Sequence, residues 1–246
     1  MLVNESLSLT GIFFGEDMAC QKALLAELSQ QLKTIIPGAD LKVWDLLGDE
    51  RLKLYLMDDF TDIASLSAET VQAVMDNPLY WMFCWASGKV LAQQILANPQ
   101  WVAGKTVMDV GAGSGVVAIA CALAGAKKVI ASDIDPLSQK AVALNVSLNP
   151  LPETCCIEII GDYRQFEGAI DLIVIADMLY DRANIPLLDA LLKRSDSMLL
   201  ADSRVKNFSY PGLQKTASFD GCSFPDLGGF DEFYEVNLYQ SCESCG

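Results

Sequence analysis

The clearest pattern in this chain is a series of short apolar segments that alternate with helical segments from residue 105 onward. Strands without polar alternation, separated by helices of about ten residues, are typical of a parallel sheet covered on both faces. The pattern therefore predicts a doubly wound α/β domain. The predicted strands are 106–110, 128–132, 157–160, 171–176 and 197–201, and the predicted helices are 114–123, 136–149 and 185–193.

The two ends of the chain follow different patterns. Residues 233–239 alternate apolar and polar side chains and are followed by no helix, so we expect them to add antiparallel to the edge of the sheet. Residues 1–74 predict a small α+β appendage with a structural or substrate-recognition role, and residues 75–246 form the main domain. The predicted elements of the appendage are strands over 7–14, 41–46 and 52–57 and helices over 18–36 and from 67 to the residue before Pro78.

Composition and charge exclude several kinds of function. The 246-residue chain has 17 Lys and Arg against 32 Asp and Glu, and this net charge of −15 disfavours nucleic acid as a partner. It contains no histidine, which excludes imidazole catalysis and metal sites that use histidine. No apolar run reaches the roughly 20 residues that a membrane crossing needs. With no recognisable signal peptide, we expect a cytoplasmic location.

The eight cysteines indicate no disulfide framework. Cys242 and Cys245 alone have the spacing of a metal or redox pair, but a zinc site needs about four ligands, and neither a second such pair nor a histidine is present. We therefore expect no bound metal. A redox role for the terminal pair, and the number of subunits, stay open.

The candidate chemistry begins in the glycine-rich loop Asp109-Val-Gly111-Ala112-Gly113-Ser-Gly115, which follows the first strand of the main domain. Glycines let the backbone turn tightly and approach a ligand closely. The following helix points its first amides and the positive end of its dipole toward that ligand, which favours an anionic group. The third glycine comes too early for the dinucleotide pattern Gly-x-Gly-x-x-Gly.

Acidic residues follow the next two predicted strands. Asp133 lies about twenty residues beyond the loop, where an acid can accept hydrogen bonds from both ribose hydroxyls. Asp162 follows the third strand. A strand-end acid is often only a helix cap, as we expect for Asp135 before Pro136. Acids at successive strand ends after one glycine loop nevertheless indicate a nucleoside site.

These motifs resemble those of a known family. The loop spacing is similar to motif I of the Rossmann-like S-adenosylmethionine-dependent methyltransferases, and residues 75–150 and 177–181 resemble the electron transfer flavoprotein β-subunit lysine methyltransferase family. The resemblance implies a mostly parallel, seven-stranded sheet with an antiparallel C-terminal strand, and S-adenosylmethionine as cofactor. It rests on the aromatic run 80–88, the glycine loop, Ala131–Pro136, Leu144-Asn145 with Asn149, and Asp177-Met-Leu-Tyr180-Asp181.

The resemblance also implies roles for individual residues. Asp177 and Tyr180 would be catalytic: Asp177 would orient a lysine ammonium and hold it electrostatically, and Tyr180 would add a hydrogen bond or a cation–π contact. Asp177 could instead only cap the following turn. The implied cofactor-binding residues are Trp85, Asp109, Gly111, Ala112, Gly113, Gly115, Asp133, Ile134, Asp162 and Ala176.

The aromatic run before the first helix of the main domain has two compatible interpretations. Tyr80, Trp81, Phe83 and Trp85 could form a packing cluster that holds the appendage to the sheet. Part of the run could also line the cofactor sulfonium and an incoming amine, because aromatic faces attract cations.

The favoured hypothesis is an enzyme that transfers a methyl group in line to a lysine side chain of a protein. Residues 177–180 lack the prolines found in methyltransferases of base amines or glutamine, which argues against those acceptors. Residues 1–74 lie outside the resemblance, and residues 85–88 depart from the expected Trp-Pro-Gly-Gly, so the acceptor is not implied securely. The alternatives are a small-amine N-methyltransferase of the nicotinamide type, a nicotinamide-dependent oxidoreductase, and a non-catalytic binding module.

Overall fold

The computed structural model describes residues 12–13 (backbone only), 18–48, 50–58, 66–225 and 235–242. The helices are α1 (Met18–Ile35), α2 (Ala68–Asp76), α3 (Ala86–Ala97), α4 (Val116–Leu123), α5 (Pro136–Val146) and α6 (Leu187–Leu192). The strands are β1 (Ile12–Phe13), β2 (Leu41–Asp45), β3 (Lys53–Met57), β4 (Thr106–Val110), β5 (Lys128–Ser132), β6 (Cys156–Ile160), β7 (Leu172–Ala176), β8 (Met198–Asp202), β9 (Leu213–Asp220) and β10 (Glu235–Ser241).

One sheet organises the main domain. Within the described residues it has the order β1-β6-β5-β4-β7-β8-β10-β9. The strands from β6 to β8 pair in parallel, and β10 runs antiparallel to both of its neighbours. The prediction of a seven-stranded, mostly parallel sheet with an antiparallel C-terminal strand is confirmed. The short β1 adds an antiparallel eighth strand outside β6, and the rest of the predicted strand over 7–14 lies outside the described residues.

The position predicted for the C-terminal strand is wrong. β10 does not form the edge of the sheet, because it lies between β8 and β9. The edge strand is β9, which sequence reasoning missed. Most side chains of β9 are exposed or half-buried, so it lacks the apolar pattern that marks a buried strand.

Side-chain alternation along the strands divides the core into two layers. In β4, Val107 belongs to the layer that contains α3, α4 and α5, whereas Met108 and Val110 belong to the layer on the other face. That second layer is covered by α6 through Leu188 and Leu191. Helices therefore cover both faces, as the doubly wound pattern predicts.

The N-terminal segment packs directly on the main domain. Helix α1 contacts α5 and buries Leu28 and Leu32, and the hairpin of β2 and β3 also lies against α5. These apolar side chains join the same core cluster as α4. A domain boundary between residues 74 and 75 stays a prediction. Among the described helices, none combines the length and apolar character of a membrane-crossing segment.

Candidate functional site

The carboxyl ends of the central strands open into a cavity of about 770 Å³. It lies between β4 and β7, where the strand order reverses, which is the usual ligand position in open α/β sheets. Its volume is typical of a small-molecule site. The predicted site residues that line it are Trp85, Gly111, Gly113, Asp133, Ile134, Asp162, Ala176, Asp177 and Tyr180, whereas Asp109, Ala112 and Gly115 do not.

The glycine loop has the backbone conformation that only glycine adopts readily. Gly111, Gly113 and Gly115 have φ angles of 76°, 52° and 81°, all left-handed. Gly115 forms the N-cap of α4, which is why this helix begins two residues later than predicted. The loop can therefore bring its backbone close to a ligand without Cβ atoms between them.

Three of the loop amides already donate hydrogen bonds within the protein. The N–H groups of Gly111 and Ala112 donate to the carbonyl of Ser132 at 2.8 and 3.1 Å. The N–H of Gly113 donates to Asp133 Oδ2 at 2.8 Å. These three N–H groups fix the conformation of the loop. The loop therefore contributes to ligand binding by letting its backbone come close to the ligand.

Asp133 connects the loop to the end of β5. Its Oδ2 accepts from Gly113, and its Oδ1 accepts from the N–H of Asp135 at 2.9 Å. Burial raises the pKa of this carboxyl, while the two backbone N–H groups oppose the shift. Each carboxylate oxygen has a further lone pair for a ribose hydroxyl.

Asp109 is buried and does not line the cavity. Its side chain is 2% exposed, and Oδ2 has no hydrogen-bond partner among the described residues. Burial raises the pKa of Asp109 to about 7, an N–H of Ala118 opposes the shift, and the charge of Asp133 adds to it. In such a buried position the neutral form of the carboxyl costs less than a buried charge.

Asp162 is engaged with its own neighbours at the cavity rim. Its carboxylate forms an ion pair with Arg164 and accepts from the Arg164 N–H at 2.9 Å, which caps a short 3-10 helix. These contacts lower the pKa of Asp162. An adenine amino group would therefore have to share this carboxylate with Arg164.

The carboxylate of Asp177 in the cavity wall accepts hydrogen bonds from two serines. Oδ2 accepts from the Ser87 N–H at 2.8 Å, and Oδ1 accepts from the hydroxyls of Ser87 and Ser203 at 2.5 and 2.8 Å and from the Ser203 N–H at 3.2 Å. Its backbone is left-handed, with φ of 49°, which is uncommon for a residue other than glycine. Asp177 thus joins the end of β7 to the first turn of α3.

The aromatic run divides between packing and the cavity. Trp81 and Phe83 are buried in the core, whereas Tyr80 and Trp85 line the cavity. The rings of Tyr80 and Tyr180 lie 5.1 Å apart, and Tyr180 is 52% exposed. Burial of the phenol, followed by its hydrogen bond with Tyr80, raises the pKa of Tyr180, so this phenol keeps its proton at neutral pH.

Sequence reasoning missed the partners of the predicted residues. Ser87 and Ser203 hold Asp177, and the Arg204 guanidinium lies 5.4 Å from the Trp85 ring at the cavity wall. Ser87 precedes Gly88 within the aromatic run, which was a weak signal. Ser203 and Arg204 follow β8 in a part of the chain without a recognisable motif.

Comparison with known proteins decides the family. Residues 91–195 match the family described as "Ribosomal protein L11 methyltransferase (PrmA)". The chain is 34% identical over 184 residues to the electron transfer flavoprotein beta subunit lysine methyltransferase of Rattus norvegicus, a match that covers 66% of this chain and 71% of that protein. The chain belongs to this lysine methyltransferase family.

Two further similarities were found. The Mus musculus protein of the same name is 35% identical over 172 residues, which covers 61% of this chain and 66% of that protein. A solved structure, the ribosomal protein L11 methylase of Lactobacillus delbrueckii subsp. bulgaricus, is 25% identical with a TM-score of 0.44 and covers 64% of this chain and 78% of that chain. The family resemblance predicted from the motifs is confirmed, and the chain is an S-adenosylmethionine-dependent methyltransferase.

The residues of this methyltransferase fit the cofactor. A Cβ atom at Gly111 would lie 2.6 Å from the Met178 sulfur, so only glycine lets the loop backbone pack against this part of the cavity wall. Asp133 and Trp85 both line the cavity, where Asp133 keeps lone pairs for a ribose hydroxyl and Trp85 adds an aromatic wall. Together they provide a close backbone, a ribose acceptor and a cation-binding face.

Gly111→Ala is expected to weaken binding of S-adenosylhomocysteine by about tenfold to 100-fold, because alanine resists the left-handed conformation and its Cβ meets Met178. Isothermal titration calorimetry measures the effect. Met178→Ala in the same chain removes the steric part and should restore some of the affinity. Unchanged affinity in Gly111→Ala would show that the cofactor does not depend on this approach.

Proposed function

We propose that this chain transfers a methyl group from S-adenosylmethionine to a lysine side chain of a protein. The observation that carries the proposal is the set of side chains around the open end of the cavity, called its mouth. There the lining aspartates lie with the exposed rings of Tyr80 and Tyr180. Relatives named as lysine methyltransferases of an electron transfer flavoprotein beta subunit support the same acceptor class.

The cofactor would lie along the ends of β4, β5 and β6. Gly111 and Gly113 would face its methionyl part, Asp133 would accept from its ribose hydroxyls, and Ile134 and Asp162 would border its adenine. When bound, S-adenosylmethionine supplies a methyl group already activated by the positive sulfur. The protein therefore has mainly to position the acceptor nitrogen in line with the carbon–sulfur bond.

The charge of the mouth favours a cationic acceptor. The cavity wall includes five aspartates, at 133, 135, 162, 177 and 181, against Arg164 and Arg204. Arg164 is paired with Asp162, so the remaining field attracts an ammonium group. The Tyr80 and Tyr180 rings add aromatic faces for the same charge.

Exposed aromatic side chains at the mouth favour a protein over a small amine. Tyr180 is 52% exposed and Tyr80 is 36% exposed, although both line the cavity. A small amine enclosed by the cavity would leave such groups in water, whereas the surface around a protein lysine would cover them. This is the observation that favours the main hypothesis over the small-amine alternative.

The acceptor proton would leave to solvent. The chain has no histidine, and the Tyr180 phenol keeps its own proton because its pKa is raised. The Asp177 oxygens already accept from Ser87 and Ser203, so this carboxylate is better placed to hold charge than to take a proton. We therefore assign the proton to water and give Asp177 the role of orienting the ammonium and holding it electrostatically.

Methyl transfer with a labelled cofactor tests the proposal. The purified chain is incubated with labelled S-adenosylmethionine and, in separate reactions, with electron transfer flavoprotein beta subunit, fractionated cell protein, or small amines including nicotinamide. We expect label on protein lysines, located by tandem mass spectrometry. Label confined to a small amine would contradict the proposal, and cofactor binding without transfer to any acceptor would indicate a non-catalytic module.

Two further predictions from the sequence belong with this proposal. A domain boundary near residue 74 predicts that limited proteolysis releases a stable fragment starting close to it.

A cytoplasmic location predicts recovery in the soluble cytoplasmic fraction on cell fractionation, and recovery in an organelle would contradict it.

A further inference from the structure

The hairpin formed by β2 and β3 is the part of the appendage with no assigned role. None of its described residues lines the cavity. Its strand β3 pairs with β2 on one edge only, and the other edge meets α5. An open strand edge needs hydrogen-bond partners for its backbone N–H and C=O groups. Asn145 in α5 and Asn149, three residues after the end of α5, provide these partners.

Asn149 forms hydrogen bonds with both backbone polar groups of Lys53, the first residue of β3. Its Oδ1 accepts from the Lys53 N–H at 2.9 Å, and its Nδ2 donates to the Lys53 carbonyl at 2.8 Å. The same Nδ2 donates to the carbonyl of Asn145 at 2.8 Å. All of these contacts lie within the hairpin and α5 region, and none reaches the glycine loop.

Asn145 has partners in both the hairpin and the loop. Its Oδ1 accepts from the Tyr55 N–H at 2.7 Å, and its Nδ2 donates to the Ser114 carbonyl at 2.8 Å. The side chain is completely buried, at 0% exposure. A single amide therefore joins the backbone of β3 to the backbone of the cofactor loop.

The Ser114 contact lies in the part of the loop whose backbone is most flexible, because glycines flank it. Ser114 stands between two glycines with left-handed φ angles, Gly113 and Gly115. The Gly113 N–H is held by Asp133, and Asn145 adds a hydrogen bond on the carbonyl of the next residue. Holding a flexible loop in its binding conformation reduces the conformational entropy lost on binding.

We infer that the β2–β3 hairpin is a positioning element for the cofactor loop and acts through Asn145, which tethers Ser114 to Tyr55. Asn145 is a positioning residue, since it contacts the loop and not the cavity. The inference rests on the cofactor placement proposed above. It predicts that the lost contact raises the KM for S-adenosylmethionine and leaves turnover at saturating cofactor unchanged.

The paired variants Asn145→Asp and Asn149→Asp test this inference. Each keeps the Oδ1 acceptor and side-chain volume and loses the Nδ2 donor, but only residue 145 uses that donor on the loop. We expect Asn145→Asp to weaken S-adenosylhomocysteine binding about tenfold by calorimetry, whereas Asn149→Asp stays within about twofold. Asn145→Ala and Asn149→Ala repeat the comparison without a new charge, and thermal melting of all four variants measures their stability.

Equal loss of affinity in both Asp variants would overturn the inference, because it would indicate general destabilisation. Unchanged affinity in folded Asn145→Asp and Asn145→Ala would overturn it as well, and so would a fall in turnover at saturating cofactor without a change in KM. Absence of protein-lysine methylation by the unaltered chain would instead contradict the proposed function. The calorimetric comparison needs no acceptor, so the two failures are distinguishable.

Discussion

Replacing Asp133 by alanine is expected to weaken S-adenosylhomocysteine binding by about 100-fold or more, because one carboxylate performs two tasks. It accepts from the N–H groups of Gly113 and Asp135, which shapes the loop. It would also accept from the ribose hydroxyls. The substitution removes both contributions, and hydrogen bonds to a charged group are stronger than neutral ones. Calorimetry with the purified variant measures the loss.

Asp162→Ala is the matched control for this prediction, because it removes an acid from the end of the neighbouring strand. The Asp162 carboxylate is already paired with Arg164 at the rim, so we expect a loss below about tenfold. Affinity of Asp133→Ala within a few-fold of the unaltered chain would show that the ribose lies elsewhere. A larger loss for Asp162 than for Asp133 would reverse the assignment of the two acids.

Replacing Asp177 by alanine is expected to lower methyl transfer by about 100-fold and to destabilise the fold by about 2–4 kcal/mol. The variant leaves two backbone N–H groups, of Ser87 and Ser203, without their acceptor in a buried site. It also removes the link between the end of β7 and α3 that places Tyr180 beside Tyr80. Turnover is measured with labelled cofactor, and stability by urea unfolding.

Two milder changes separate the roles of this carboxylate. Ser203→Ala removes one hydroxyl donor and keeps the Asp177 charge, so we expect turnover within about fivefold. Asp177→Asn keeps the shape, but its NH2 group must face a donor N–H, and we expect a loss close to that of alanine. Normal turnover in folded Asp177→Asn would show that catalysis needs neither the Asp177 charge nor its hydrogen bonds with Ser87 and Ser203.

The glycine loop and its following acid were predictable from sequence for local reasons. The left-handed conformations of Gly111, Gly113 and Gly115 are accessible to few other residues, so the motif records a backbone shape directly. Asp133 follows a strand whose apolar run marks a central position in a parallel sheet. The family and the cofactor that these motifs predicted are confirmed, and the individual roles stay predictions.

The partners of Asp177 were not predictable in the same way. Ser87 lies 90 positions before Asp177 in the chain, and Ser203 lies 26 positions after it. No local pattern connects them, because they meet only when α3 packs on the sheet and β8 pairs with β7. Asp177, the acid expected to orient the lysine ammonium, therefore accepts hydrogen bonds from two serines that sequence reasoning did not consider.

By itself, the sequence determined the parallel sheet, the cofactor loop and the order of the acids, since these follow from local periodicity and from conformations peculiar to glycine. The tertiary structure decided that β9 rather than β10 forms the edge, that Asp109 is buried outside the cavity, and that Asn145 joins the loop to the hairpin. Hydrogen bonds between distant residues depend on how whole elements pack, and packing energies are summed over the complete fold.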